Sequence, residues 1–323
     1  MTSPSILPPP VQKSPRRPQS KFSRIGIPVL CFLVTMLSTT AVGMRYMYNF
    51  RLGRPPLTTD ADILPYPWVS HNLDQLASGL PFSLTLVAIL LAHEFGHYFA
   101  CRRFNVRASL PYLLPAPSLS GTFGAVIRLK SVVRSRAALI VIGAAGPIAG
   151  FLVALVTVTL GLAWSTYATA PLLQKVQPPL TIVAIHAAIS GQPLALIIPH
   201  PVLIASWIGL LITALNLIPA GQLDGGHILY AISPASHRWS SRIVIATLLV
   251  LGVLNWIGWI VWAIILMLPG MRHPRVDDPV PLTPLQTALI PICLLILLTT
   301  GTPEPFKGYG IIDIIPKLLT HHY

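Results

Sequence analysis

His93, Glu94 and His97 stand in a stretch, residues 84–104, that is otherwise almost entirely apolar. Because the two histidines are four positions apart, a helix places them on the same face. Two imidazoles on adjacent turns can bind one Zn²⁺, and a glutamate beside the first histidine can act as general base towards a hydrolytic water. The His-Glu-x-x-His pattern also occurs by chance, but its position inside a stretch long enough to cross a bilayer favours a metal site.

Asp224 is the second acid with apolar surroundings. Of the nine acidic residues, only Glu94 and Asp224 lie in or against apolar runs. A carboxylate at mid-bilayer costs about 2.5–3.5 kcal/mol on insertion scales and is a functional hypothesis by default. Asp224 lies in NLIPAGQLDGGHILYA, residues 216–231, where proline and glycines break the preceding helix. We predict that this break brings Asp224 to the metal as a third protein ligand and leaves one open position.

The composition is that of a polytopic membrane protein. The 323 residues are 53% hydrophobic and 10% charged, with a mean hydropathy of +0.69, whereas soluble chains are about 25% charged. The net charge of +13 does not indicate nucleic-acid binding, because the basic residues flank apolar runs as the positive-inside rule predicts. The expected environment is therefore the lipid bilayer. Cys31, Cys101 and Cys293 form no CxxC pair, which argues against a disulfide framework.

The predicted fold is an all-α polytopic membrane protein of about six transmembrane helices with a short membrane-associated β-hairpin. The predicted membrane domain, residues 25–302, follows a disordered basic and proline-rich tail, 1–24, and precedes a tail, 303–323. Its spans are expected at about 25–44, 80–100, 137–163, 201–219, 243–268 and 284–300. The loose alternation of Thr122 to Leu129, bounded by glycines, predicts the hairpin. The apolar run 180–198 is broken by glycine and prolines, so a half-embedded segment and a further helix both remain open.

Charge distribution predicts how the chain crosses the membrane. With six spans and an inner N-terminus, 16 of the 22 lysines and arginines fall on the inner side. This bias agrees with the positive-inside rule. The prediction is a multi-pass protein of the cell (inner) membrane with both termini cytoplasmic.

Two motifs together resemble the site-2 protease family of intramembrane zinc metalloproteases. They are AHEFGHYFA at 92–100 and NLIPAGQLDGG at 216–226, in that order and two spans apart. GTFGAVIRLKS and GAAGPIAG, at 143–150, resemble further parts of the family, especially bacterial and plastid members without a PDZ domain. The resemblance covers roughly residues 80–300.

The resemblance implies hydrolysis of peptide bonds in or near transmembrane segments of a membrane protein, usually one with a single span. His93, His97 and Asp224 would hold one Zn²⁺ per chain, with Glu94 activating water and Asn216 stabilising the oxyanion. An extended substrate would pair with a strand that includes Gly121, Thr122, Phe123 and Gly124. Many relatives carry a PDZ or CBS domain, for which the connections here are too short.

Other readings stay open at this point. The chain could be a non-proteolytic homologue, acting as a chaperone, adaptor or metal-binding protein, although no motif residue is missing. A di-iron membrane enzyme would need several histidine clusters, and a metal transporter a polar path, and neither is apparent. Asn216 could make only an interhelical hydrogen bond, and His227 could be a fourth ligand but is expected to be structural. Gly146 and Gly150 form GxxxG, which indicates close helix packing.

Overall fold

The computed structural model describes residues 25–57, 62, 64–172, 176–268, 276, 278, 280–307 and 309–314. The predicted tail 1–24 lies outside these residues. The described chain is mostly helical, with two small antiparallel sheets. Its helices are α1 (Ile27–Arg51), α2 (Tyr66–Ser70), α3 (Leu80–Arg103), α4 (Arg136–Ala163), α5 (Leu180–Ile189), α6 (Pro201–Leu217), α7 (Asp224–Ile232), α8 (Pro234–Leu254), α9 (Gly258–Met267) and α10 (Pro284–Thr300).

Four of these helical segments are long and apolar enough to cross a membrane: α1, α3 with the 3₁₀ turn before it, α4 and α8. Their length and composition agree with the predicted membrane protein. α6 and α10 are apolar but have 17 residues each, and α5 and α9 have 10 each. A spanning helix needs about 20 residues. Length alone therefore does not decide the predicted number of six spans.

The centre of the molecule is the trio α3, α4 and α6, which small residues bring into close contact. A β carbon on Gly96 of α3 would lie 2.4 Å from the Ala145 carbonyl of α4, and one on Gly161 would lie 2.5 Å from the Leu203 nitrogen of α6. The Ser206 hydroxyl donates to the Thr157 hydroxyl at 2.8 Å between the same two helices. Close backbone approach of this kind gives membrane helices their packing contacts.

The predicted hairpin is confirmed. Strands β1 (Tyr112–Pro115) and β2 (Thr122–Val126) pair antiparallel, with Leu114 opposite Gly124. Their connection lies against the middle of α1, where the Tyr46 hydroxyl donates to the Leu119 carbonyl at 2.8 Å and the Ser38 hydroxyl to the Gly121 carbonyl at 2.7 Å. The hairpin thus extends along a bundle helix.

The interval 243–268 differs from the single predicted span. It contains the end of α8 and all of α9, and the two helices fold back on each other. A β carbon on Gly252 would lie 2.3 Å from the Ile260 side chain. Residues eight positions apart in one helix would be about 12 Å apart along the axis. The chain reverses at Asn255–Ile257, where Trp256 also contacts Trp259.

This reversal bears on the position of the described residues after α10. α10 runs parallel to α4: Ile290 packs with the cluster of Ala138 near the start of α4, and Ile296 with Ala144 further along. At the end of α10, the Thr181 hydroxyl of α5 donates to the Thr299 carbonyl at 3.0 Å. Residues 303–307 and 309–314 therefore lie at the end of the bundle opposite Arg136, whereas the start of α1 lies at the Arg136 end. The termini themselves, residues 1–24 and 315–323, lie outside the described residues, so the placement of both termini in the cytoplasm stays a prediction.

The broken run 180–198 forms α5 and then a short strand. Strand β4 (Ile197–Ile198) pairs antiparallel with β3 (Thr166–Tyr167). At about 1.5 Å per residue, α5 is roughly half as long as a bilayer core is thick. α5 is therefore too short to cross by itself, and whether the run is half-embedded stays a prediction.

Candidate metal centre

Three predicted ligands, which are far apart in the sequence, meet at one point. His93 Nε2 and His97 Nε2 are 3.1 Å apart, and each lies 3.2 Å from Asp224 Oδ2. They form the one group of three or more candidate metal ligands found among the described residues. His93 and His97 are buried in α3, and Asp224 is the first residue of α7.

The triangle of donor atoms fits a tetrahedral zinc site. Bonds of about 2.0–2.1 Å at tetrahedral angles place neighbouring ligand atoms roughly 3.3 Å apart. The three observed separations match one face of that tetrahedron and leave its fourth corner to a non-protein ligand. The distances thus agree with a zinc that has three protein ligands and one open position.

The hydrogen bonding of His97 also fits a cation at the centre. Its Nδ1–H donates to the Ile142 carbonyl at 2.7 Å, because a carbonyl can only accept. In the neutral imidazole, Nε2 then carries a lone pair directed at the carboxylate of Asp224. A lone pair and a carboxylate oxygen that face each other at 3.2 Å are held together by a positive charge between them, which a proton or a metal ion can supply. Fixing a ligand histidine through its other nitrogen is also typical of metal sites.

Glycines on one side of α4 make room for all three ligands. A β carbon on Gly146 would lie 2.1 Å from His97 Nε2, and one on Gly150 would lie 3.2 Å from the His93 β carbon. One turn earlier, a β carbon on Gly143 would lie 3.0 Å from the Asp224 carbonyl. The GxxxG pattern is a packing feature, as predicted, but the groups packed against it are the ligands themselves.

Glu94 is buried next to the ligands, and the backbone of the hairpin approaches it. The backbone of Ile127, just after β2, lies near the Glu94 carboxylate. Arg128, the next residue, bonds to Ser109 in the chain leading to β1. Since successive residues of an extended chain face opposite edges, Ile127 belongs to the edge away from β1. This edge of the hairpin therefore borders Glu94.

Asn216 lies at the same centre, where its side-chain nitrogen is 3.4 Å from His93 Nε2. It is half-buried in the last turn of α6. The amide thus lies beside one of the ligand nitrogens, and its role in stabilising an oxyanion stays a prediction.

The predicted substrate-binding residues have different surroundings. Gly121, at φ +74°, lies against the α1 backbone at Ser38, and Thr122 is buried with its hydroxyl donating to the Leu114 carbonyl at 2.7 Å. Phe123 is 74% exposed, and a β carbon on Gly124 would meet nothing within 4 Å. Gly121 and Thr122 therefore support the hairpin, whereas Phe123 and Gly124 are accessible to another chain.

Sequence reasoning missed several supporting groups. The Ile142 carbonyl, the Ile127 amide and Gly143 are backbone features that no side-chain pattern announces. The glycine-rich stretch 143–150 was the sequence feature that could have predicted the space beside α4. His227, considered as a fourth ligand, does not belong to the donor group found in the described residues.

Comparison with known proteins agrees with this geometry. Residues 81–258, which contain every candidate ligand, match the model of peptidase family M50. The chain belongs to peptidase family M50. Curated relatives of this M50 chain include "Probable zinc metalloprotease EGY2, chloroplastic" from Oryza sativa subsp. indica, 33% identical over 67% of the chain. Another is "Probable zinc metalloprotease EGY1, chloroplastic" from Arabidopsis thaliana, 34% identical over 62% of the chain.

The M50 chain matches only part of these relatives. The alignments cover 39% of the rice protein and 38% of the Arabidopsis protein. The shared part is thus about two fifths of each relative's length.

Proposed function

We propose that this protein is an intramembrane zinc endopeptidase with one zinc per chain. The observation that carries the proposal is the triangle of His93, His97 and Asp224, with Glu94 and Asn216 beside it. The names of the two curated relatives, both probable zinc metalloproteases, support the same metal and reaction class. When bound, zinc would supply Lewis-acid polarisation of the reacting oxygen atoms.

The remaining catalytic roles belong to side chains of this protein. Glu94 takes the proton of the attacking water as general base and returns a proton to the leaving amine. The Asn216 amide donates to the oxygen that becomes negative as the peptide carbonyl is attacked. His97 is held in one tautomer by the Ile142 carbonyl, so its orientation requires no adjustment during the reaction.

The substrate is proposed to be a membrane protein, most simply one with a single span, that is bound in an extended form. The edge of the hairpin bordering Glu94 offers backbone groups for strand addition. Phe123 and Gly124 are the accessible positions near its tip. A helical substrate segment would have to unwind locally to pair there, which places its peptide carbonyls next to the catalytic side chains.

The membrane arrangement is proposed from charge and helix direction. α3 ends at Arg102 and Arg103, and α4 begins at Arg136, so the site is nearer the basic end of the bundle. The positive-inside rule places that end, with the start of α1, in the cytoplasm of a cell (inner) membrane. We propose that α8 and α9 together form a re-entrant pair, and that residues after α10 lie on the opposite side.

The test compares Glu94→Gln with Asp224→Ala in detergent-purified protein incubated with a doubly tagged single-span membrane protein. Glu94→Gln should retain about one zinc by mass spectrometry and lose at least 10²-fold in cleavage rate, since it lacks only the base. Asp224→Ala should lose both zinc and cleavage. Asp74→Asn, a change at an exposed acid outside the site, is the matched control and should cleave normally. Wild-type cleavage rates in Glu94→Gln would contradict the proposal.

The same variant separates the protease from a non-proteolytic adaptor. An adaptor needs its fold and its membrane partner, and it does not need a general base. Cells that depend on the protein should therefore fail with Glu94→Gln if the protease proposal is right. Full function of Glu94→Gln in cells would favour the adaptor.

A further inference from the structure

The loop between Asn216 and Asp224 is fixed on one side by α7. Its carbonyl oxygens at Leu217, Ala220 and Gly221 lie 2.0–2.6 Å from where β carbons would be on Gly225 or Gly226. Gly221 itself has φ +56°, a conformation that favours glycine. The loop is thus folded tightly over the first turn of the helix that begins with Asp224.

The other side of the loop is held by α8. His237, Ser240 and Ser241 share one helical face, since they are three and four positions apart. The Ser240 hydroxyl donates to the Pro219 carbonyl at 2.7 Å, and His237 Nε2–H donates to the Gly221 carbonyl at 2.9 Å. The Gly221 N–H donates to the Ser241 hydroxyl at 3.1 Å.

Neighbouring groups hold the His237 and Ser241 side chains in place. The His237 side chain is buried, and its ring meets the Tyr230 ring at 5.4 Å and 82°. The Ser241 hydroxyl donates to the His237 carbonyl at 2.8 Å, which leaves its lone pairs to accept from Gly221. Both backbone polar groups of Gly221 are therefore paired with α8 side chains, three residues before the metal ligand Asp224.

We propose that His237, Ser240 and Ser241 are positioning residues, the α8 clamp, which set where the Asp224 carboxylate stands relative to the two histidines. The histidines belong to a different helix, α3, so the three donors stay within 3.2 Å only if the loop keeps its place. The inference rests on the proposed zinc site. It adds that part of the metal affinity is determined by side chains of α8 that do not touch the metal.

The test measures zinc affinity by competition with a chelator in the full-length, detergent-purified protein. Ser240→Ala and Ser241→Ala should each bind zinc about 10-fold more weakly, which is the lower end of the effect seen for groups that support metal ligands. Ser236→Ala is the matched control. It lies on the same helix, and its hydroxyl donates to Ser233 at 3.0 Å and not to the loop.

His237 provides a conservative rescue. In His237→Phe the ring volume stays and the N–H donor is lost, so zinc binding should weaken. In His237→Gln the amide nitrogen can take the place of Nε2 and donate to Gly221, so affinity should return to near the wild-type value. The serine variants, which each remove one oxygen atom, carry the test if His237→Phe does not fold.

The apo melting temperature separates positioning from general support. The α8 clamp predicts that the serine variants melt, without metal, close to Ser236→Ala while their zinc affinity falls. A lower apo melting temperature with unchanged zinc affinity would overturn the inference. Asp224→Ala shows which of the two proposals has failed. If wild type binds zinc no better than Asp224→Ala, the proposed zinc site is wrong, and the proposed α8 clamp is wrong with it. If only Asp224→Ala loses zinc, the clamp alone is wrong.

Discussion

α4 and α8 are both apolar helices of more than twenty residues, but their surroundings differ. Half of the most apolar 18-residue window of α4 is buried inside the protein, against 17% of the corresponding window of α8. α4 contacts the metal ligands through its glycines, whereas α8 contacts the loop before Asp224 through polar residues near its start and through apolar residues such as Leu248. Many positions of α4 are constrained by neighbouring protein side chains. Most apolar side chains of α8 face outward, where lipid can accommodate any apolar residue.

The largest expected effect concerns which side of the membrane the C-terminal segment occupies. In a background without native cysteines, Lys307→Cys should react with a membrane-impermeant maleimide on intact cells. Arg103→Cys, at the other end of the bundle, should react only after permeabilisation. This all-or-none difference follows from the parallel direction of α10 and α4. Identical labelling of the two positions would contradict the α8–α9 reversal.

The second-largest effect is expected in α4, the more buried of the two helices. In Gly146→Ala the new methyl group would lie 2.1 Å from His97 Nε2, so the ligand must move. We expect zinc affinity to fall by about 100-fold, the upper end of the range for groups that support ligands. Gly191→Ala is the control, because a β carbon there meets nothing within 4 Å. Normal zinc content in Gly146→Ala would mean that the ligand helix is not held against α4 as described.

A moderate effect is expected in the α8–α9 pair. Gly252→Val would overfill the contact with Ile260, where a β carbon already comes within 2.3 Å. Overpacking of this kind costs about 1–3 kcal/mol. The variant should show a lower melting temperature with zinc affinity unchanged, because Gly252 lies far along α8 from the α8 clamp. Loss of zinc in this variant would show that the two regions are more closely coupled than their contacts indicate.

The smallest effect concerns Asp278, outside the membrane-spanning segments. The N–H groups of Val280 and Arg136 donate to its carboxylate at 3.0 Å each and lower its pKa. A lowered folded-state pKa contributes stability at neutral pH that is lost as the pH falls through that pKa. Asp278→Asn should therefore melt slightly below wild type at pH 7, with the difference vanishing in acid. A difference in melting temperature that is the same at every pH would mean that the substitution acts through the shape of the side chain and not through its charge.

The charge pattern does not distinguish the predicted topology from the proposed one. Treating α8 and α9 as a pair moves the segment 269–283 to the inner side and 303–323 to the outer side. Each of these segments carries two basic residues, so either arrangement places 16 of the 22 on the inner side. The positive-inside rule is satisfied equally by both. The packing of α10 along α4 is the observation that favours the proposed arrangement.

The sequence by itself determined the chemistry of this protein. Histidines four apart on an apolar helix, and an aspartate at a broken helix end, are costly in a membrane without a shared partner, so their residue types alone predicted a common metal site. Only the tertiary structure decided how that site is supported: which glycines of α4 make room for the ligands, which carbonyl fixes His97 and which side chains of α8 hold the loop before Asp224. These contacts are made by backbone groups and by absent side chains, and one-dimensional patterns of residue type do not record either.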